Sequence, residues 1–263
     1  MRRNSVKATL DSGGVALGTM VFEFKTPGIG NIAANAGADF VLFDTEHSGG
    51  QEKIAGVIAA MRSSNAVPLV RIAATSRPHI AAPLDAGAMG LMIPMVENAD
   101  QARAIVDAAK YPPLGRRGAA FALAHDDYLA GDPKAKMQSA NDELLLIAQI
   151  ETEGGLRKVE DIAAIDGIDV LWIGQFDLTN SLGIPAEFDH PTYNAALDRC
   201  VNVARRYRKS AGFMASSVSE ALNYIERGFR CVAYSGDLWI YGKALGTSLN
   251  ALRSAISSPH PPK

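Results

Sequence analysis

The sequence is poor in cysteine, with Cys200 and Cys231 its two thiols. Two thiols cannot build the disulfide framework of a small secreted domain or a four-thiolate zinc site, and both sit among apolar neighbours. A reducing cytoplasm is therefore the expected compartment. Excess charge is lacking too: 26 Lys and Arg stand against 28 Asp and Glu, a formal charge of -2. Without a bulk positive field, no nucleic acid and no membrane is expected as a partner, and small molecules become the default ligands. No stretch approaches the roughly 18 apolar residues of a membrane span, and the basic start MRRNSVKATLDSGG lacks the apolar segment of a secretory leader. Glycine-rich phosphate cradles are missing as well. Neither GxGxxG nor GxxxxGK[ST] follows an apolar run, which weakens dinucleotide and P-loop readings.

What is present is the material of an ordinary globular protein, 48% hydrophobic and 21% charged, enough for a sizeable core. Eight short, continuous apolar runs are the strand candidates: 15–20, 39–43, 67–72, 88–93, 144–150, 169–173, 211–214 and 230–234. Continuous rather than alternating runs are what parallel strands covered on both faces require. Helical signals lie between them. In NADQARAIVDAAK, Asn98 caps, Asp100 suits the first turn, and Ala102, Ile105, Val106 and Ala109 form one apolar face. Over 192–209, Leu197, Cys200, Val201 and Ala204 repeat the spacing, and the following Arg205, Arg206, Arg208 and Lys209 read as solvent-facing cations at a helix C-terminus. Eight strand–helix units without a break in composition predict a single-domain α/β fold over 1–263, a (β/α)₈ TIM barrel, with a doubly wound open sheet as runner-up. The stretch 111–142 reads as a long irregular loop, and the tail SSPHPPK as frayed.

In such a barrel, polar residues that end an apolar strand face the active site. Asp44 and His47 end strand two, Arg71 strand three, Gln149 and Glu151 strand five, and Asp177 follows strand six. The carboxylates of Glu151 and Asp177, on successive strand ends, would repel one another without a cation. Oxygen donors without cysteine point to a hard divalent ion. Each residue also has a simpler reading. Asp44 and Asp177 could cap helices, Glu151 could be a first-turn acid, and Arg71 an ion-pair partner. His47 could be a surface imidazole, as His79, His125, His190 and His260 are expected to be. Capping, however, gives no reason for an Arg, a His and a Gln to join the acids at one rim.

The stretches FDTEHSG, PLVRI, LDAGAMGLMIPMVENADQA, YPPLGRRG, AQIETEGGLRKVEDIAAIDGIDVLWIGQFDLTNSLG and FDHP, in order across residues 15 to 250, resemble the HpcH/HpaI family of class II, metal-dependent pyruvate aldolases. The resemblance implies a barrel, usually a homo-hexamer built as a trimer of dimers, that cleaves 4-hydroxy-2-oxoacids to pyruvate, or a related 2-oxoacid such as hydroxypyruvate, and an aldehyde. It implies a divalent cofactor, Mg²⁺, Mn²⁺ or Co²⁺, on Glu151 and Asp177, and substrate binding by Gln149, Asp177 and the backbone at Phe176. It implies His47 as the base, Arg71 as the stabiliser of developing charge, and Asp44 and Asp85 as acids supporting the histidine. One departure stands out: where the family has Gly-Pro-Ala/Ser-Asp, this chain reads Gly174-Gln175-Phe176-Asp177, which leaves the shape of the pyruvate pocket open. A Schiff-base aldolase needs a desolvated lysine on a strand, and none of the eight runs contains one. The competing readings are an acyl-CoA lyase, a phosphosugar isomerase-like barrel binding phosphate at MASS and YSGD, and a catalytically silent metabolite-binding barrel.

Overall fold

All eight apolar runs become strands in the computed structural model, which describes residues 2–257; His260 and most of the SSPHPPK tail lie outside the described residues. The strands are β1 (Ala16–Val21), β2 (Phe40–Asp44), β3 (Val67–Arg71), β4 (Gly90–Ile93), β5 (Leu145–Ile150), β6 (Val170–Ile173), β7 (Ser210–Ala215) and β8 (Cys231–Gly236). Each pairs in parallel with its neighbours in sequence, and β8 closes onto β1. The structure is thus a closed (β/α)₈ barrel. Its β2–β3 register sets Asp44 opposite Arg71, the first step in assembling the rim.

Two apolar layers hold the barrel. Inside, Met20, Leu42, Leu69, Met92, Ile147 and Trp172 fill the lumen, and Val6 and Leu10 of the helix Ser5–Asp11 close its lower end. Between strands and helices lies the larger layer, to which Val41, Val70, Leu91, Leu146 and Leu171 contribute the opposite strand faces. Burial on both sides is why these strands read as continuous apolar runs. Cys200 and Cys231 are buried and free, and burial pushes both thiols up to about 12. Among the described residues no helix is long and apolar enough to cross a membrane.

The expected helices form. Asn98 caps Ala99–Ala109 by accepting the Gln101 N–H at 2.9 Å, and the second amphipathic stretch becomes Pro191–Arg206, with Arg205 and Arg206 exposed in its last turn. The irregular reading of 111–142 needs correction. Residues Pro133–Glu143 are a helix, capped by the Asp132 side chain and started by a proline at its first position, and Ala124–Asp126 adds a short 3₁₀ turn. Its polar sequence buries only Ala140 and Asn141, so it carries almost no apolar periodicity to read. The final helix, Asp237–Ser257, buries only Asp237. It leaves the outward-facing Leu17 of β1 and Tyr234 of β8 exposed, where the other strands are covered.

Candidate active site

At the C-terminal ends of the strands a cavity of about 660 Å³ opens. His47, Arg71, Gln149, Gly174, Phe176 and Asp177 line it, with Trp172 as part of its floor. Asp44 lies below, fully buried. One of its oxygens accepts Arg71 Nε at 2.6 Å and the Glu46 N–H at 3.2 Å; the other accepts the His47 N–H and the Ser48 hydroxyl, each at 3.0 Å. Burial pushes this carboxyl upward, but the hydrogen bond and charge of Arg71 hold it below its ordinary value. Asp44 therefore fixes the turn and Arg71 together, and it bonds the backbone of His47 rather than its ring.

Glu151, 2% exposed, accepts the Met95 N–H at 2.7 Å on one oxygen and the Gln149 amide on the other. Met95 reaches it from a left-handed conformation, φ 55°. Burial first, then the neighbouring carboxylates of Glu46 and Asp177, raise the Glu151 carboxyl to about 7, against the Met95 N–H and Arg71. Gly174 gives these groups their room, since a Cβ there would collide with Glu151 Oε2 and come within 2.7 Å of Gln149 Nε2. Asp177 stands exposed in the first turn of the helix Gln175–Ser181.

The donor set suits a hard cation. Glu151 and Asp177 supply carboxylate oxygens, the buried Gln149 Oε1 has no hydrogen-bond partner, and a carboxyl raised by burial beside like charges is one that a cation would relieve. Among the described residues no three His, Cys, Asp or Glu side chains gather into a cage. A cation here would thus take its remaining positions from water or substrate.

Not every sequence expectation meets at this rim. Asp85 lies in the last turn of the helix Arg77–Ala86, immediately before β4 begins, at the opposite end of the barrel; within one chain it pairs with Arg117 at 2.7 Å. Helices return antiparallel to their strands, which is why it faces away. Phe176 turns its ring against Phe188, with ring centroids 5.2 Å apart, and Phe188 packs on buried Tyr193; the bulky residue forms a side wall rather than filling the centre. His125 is no surface imidazole: its ring nitrogens are enclosed without a partner, and burial lowers its pKa. His79 bonds Ser76, and His190 caps Pro191–Arg206. The ends of β7 and β8 do not wait for phosphate. The Ser216 N–H and hydroxyl bond Glu220, and Asp237 accepts the backbone N–H groups of Phe22, Glu23 and Phe24, so these donors are already engaged by carboxylates.

Two residues were missed. Lys25, buried in the loop after β1, donates to the Phe22 carbonyl and to Ser48 Oγ at 2.7 Å, bracing the 44–48 turn. Nothing local in the sequence marks it. Glu46 was visible inside DTEHSG, but its place between Arg71 and His47 needed coordinates.

With this geometry in hand, comparison with known proteins is decisive: residues 20–242 match the model of the HpcH/HpaI aldolase/citrate lyase family. The chain belongs to that family. As a member it is a carbon–carbon lyase. A 4-hydroxy-2-oxovalerate aldolase from Novosphingobium aromaticivorans is 36% identical over 263 residues, covering 97% of each chain. A 2-keto-3-deoxy-L-rhamnonate aldolase from Escherichia coli O157:H7 is 33% identical over 257 residues, covering 97% of this chain and 96% of the other. An HpcH/HpaI aldolase from Desulfitobacterium hafniense DCB-2 superposes with a TM-score of 0.88 at 30% identity, covering 97% and 98%. The barrel described above is thus shared end to end with that aldolase.

Proposed function

We propose that the protein is a divalent-metal aldolase that reversibly cleaves a 4-hydroxy-2-oxoacid to pyruvate, or a related 2-oxoacid such as hydroxypyruvate, and an aldehyde. The observation that carries this reading is that Asp177, Gln149, Arg71 and His47 line one cavity at the catalytic end of the barrel, with Glu151 buried beside it and bonded to Gln149. The similarity to two aldolases of such oxoacids supports it.

Glu151 and Asp177 would hold the cation, Mg²⁺, Mn²⁺ or Co²⁺. When bound, such an ion polarises the 2-oxo group as a Lewis acid. The side chains do the rest. Gln149 orients the oxoacid from the cavity floor. His47 takes the proton of the 4-hydroxyl, the C3–C4 bond breaks, and its electron pair enters the enolate while the aldehyde carbonyl forms. The permanent charge of Arg71, held by Asp44, lies where negative charge develops. The backbone N–H groups at the start of Gln175–Ser181 would meet the substrate carboxylate: the one at Phe176 is kept, and Gln175 brings one that the family's proline lacks. Proton transfer to C3 completes the product.

Assay of aldehydes with pyruvate and with hydroxypyruvate, each with several divalent ions, tests this reading. Exhaustive chelation is expected to abolish turnover, and Mg²⁺, Mn²⁺ or Co²⁺ to restore it; full activity after chelation would remove the metal. Borohydride with pyruvate is expected to leave the protein mass unchanged, because Lys25 is already bound by its neighbours. A trapped adduct would establish the Schiff-base class instead.

A further inference from the structure

We propose, building on the aldolase reading above, that Asp237 is a positioning residue for cleavage: its carboxylate clamps the loop after β1 and through that loop sets Arg71. One Asp237 oxygen accepts the Phe22 N–H at 2.9 Å, and the other accepts those of Glu23 and Phe24 at 3.0 and 2.6 Å. Three consecutive backbone donors thus converge on one buried carboxylate in charge-assisted bonds, all made within one chain.

The backbone is bent to bring the carboxylate there. From Gly18 opposite Ala233 to Met20 opposite Gly236, β8 gains one residue on β1, a bulge of the kind that re-aims a side chain. Ser235 holds a left-handed conformation, φ 52°, unfavourable for a residue with a Cβ. At Gly236 a Cβ would come within 2.8 Å of the Trp239 ring and 2.9 Å of the Phe22 ring. A bulge, a strained serine and a bare glycine in succession therefore serve one juxtaposition, the start of Asp237–Ser257 against the end of β1.

That juxtaposition builds a wall of the active site. Phe22 and Glu23 line the cavity from the loop, and Leu238 and Trp239 line it from the helix. Phe22 packs edge-on against Trp239, with centroids 5.0 Å apart, and its ring lies 5.7 Å from the Arg71 guanidinium. Farther along the loop, Lys25 donates to the Phe22 carbonyl and to Ser48, and Ser48 to Asp44, which holds Arg71 Nε. Asp237 thus reaches Arg71 by two routes, one through the Phe22 ring and one through Lys25, Ser48 and Asp44. It acts only through them. Glu151 and Asp177 belong to β5 and the end of β6, on the other side of the closed barrel from β1. Loss of the clamp should therefore misplace the charge of Arg71 and spare the cation ligands.

The test uses the full-length protein with the 2-oxoacid and aldehyde on which the wild type turns over. Asp237→Asn presents an NH₂ group where an acceptor is needed, so it cannot receive all three donors. Its amide hydrogen exchange over residues 22–25 is expected to quicken, and its kcat to fall about tenfold to a hundredfold. Mn²⁺ affinity should stay within about twofold of wild type, a split that general loosening of the fold would not produce. D237E keeps the charge and should recover part of the lost kcat. Lys25→Met cuts the second route and should also lower kcat; on the D237N background it should add less than its own effect, because residues acting as a unit are not additive. Wild-type kcat or unchanged exchange in D237N overturns the proposal, as does a fall in Mn²⁺ affinity that matches the fall in kcat. If D237N does not fold, K25M decides, and wild-type kcat in K25M overturns the clamp. A wild type that turns over no 2-oxoacid with any metal overturns the aldolase reading and this proposal with it; an active wild type beside an equally active D237N overturns the clamp alone.

Discussion

Glu151 shows how a single residue can be placed against stability. Folding raises its carboxyl from an ordinary 4.5 to about 7, so its contribution is intact below pH 4.5 and lost as pH rises through 7. Glu151→Gln removes that charge at every pH. In chelator-treated protein the variant should therefore be more stable than the wild type at pH 8, by up to about 3 kcal/mol, with the gap shrinking toward pH 5.5. Melting curves at the two pH values check this, and equal stability at pH 8 would contradict the burial of an ionised Glu151. The same variant should be inactive, a stability gain coupled to loss of function. His47 should behave oppositely. Replacing its exposed ring with alanine should leave melting and Mn²⁺ binding unchanged and lower kcat by roughly 10²–10⁴-fold, the usual share of general acid–base catalysis. Arg71→Lys keeps the charge but loses the planar group held between Asp44 and Glu46, so cleavage should slow while the fold persists.

Elements place those residues, and their legibility varied for physical reasons. Strands buried on both faces announce themselves as unbroken apolar runs, so β1 to β8 and the rim positions at their ends could be read from local sequence. Pro133–Glu143, almost bare of buried residues, has no such pattern; only Asp132 and Pro133 mark its start. At the end of β6 the link from element to site is tightest. Gly174→Ala would push a methyl into Glu151 and Gln149, so activity and Mn²⁺ affinity should fall together while the far-UV spectrum is retained. Asn98→Ala is the contrasting control. Losing that cap should cost about 1 kcal/mol and leave kcat unchanged, since no residue of Ala99–Ala109 lines the active-site cavity. Cleavage assays and melts on the two variants separate the cases.

At the scale of the whole molecule the unusual feature is the Asp237–Ser257 helix. Leu245, Leu249, Leu252 and Ile256 are exposed along it, and apolar clefts of about 750 and 570 Å³ lie on its two sides, beside the uncovered Tyr234 and Leu17. Surfaces this apolar are expected to be buried between copies of the chain, with a hexamer the expected assembly. Sedimentation should show an oligomer at micromolar concentration, and Leu245→Asp with Leu249→Asp should dissociate it. A wild-type monomer under those conditions would overturn the assembly. The sequence by itself determined the barrel and the polar residues that end its strands, because strand burial and strand-end polarity are written locally, one run at a time. Only the tertiary structure decided which of those residues meet. Asp44 clasps Arg71 across the β2–β3 register, Asp85 is carried to the far end by an antiparallel helix, and Glu46 rather than Asp44 faces the imidazole. Those outcomes depend on register, helix direction and side-chain packing between residues distant in the chain, which no local pattern encodes.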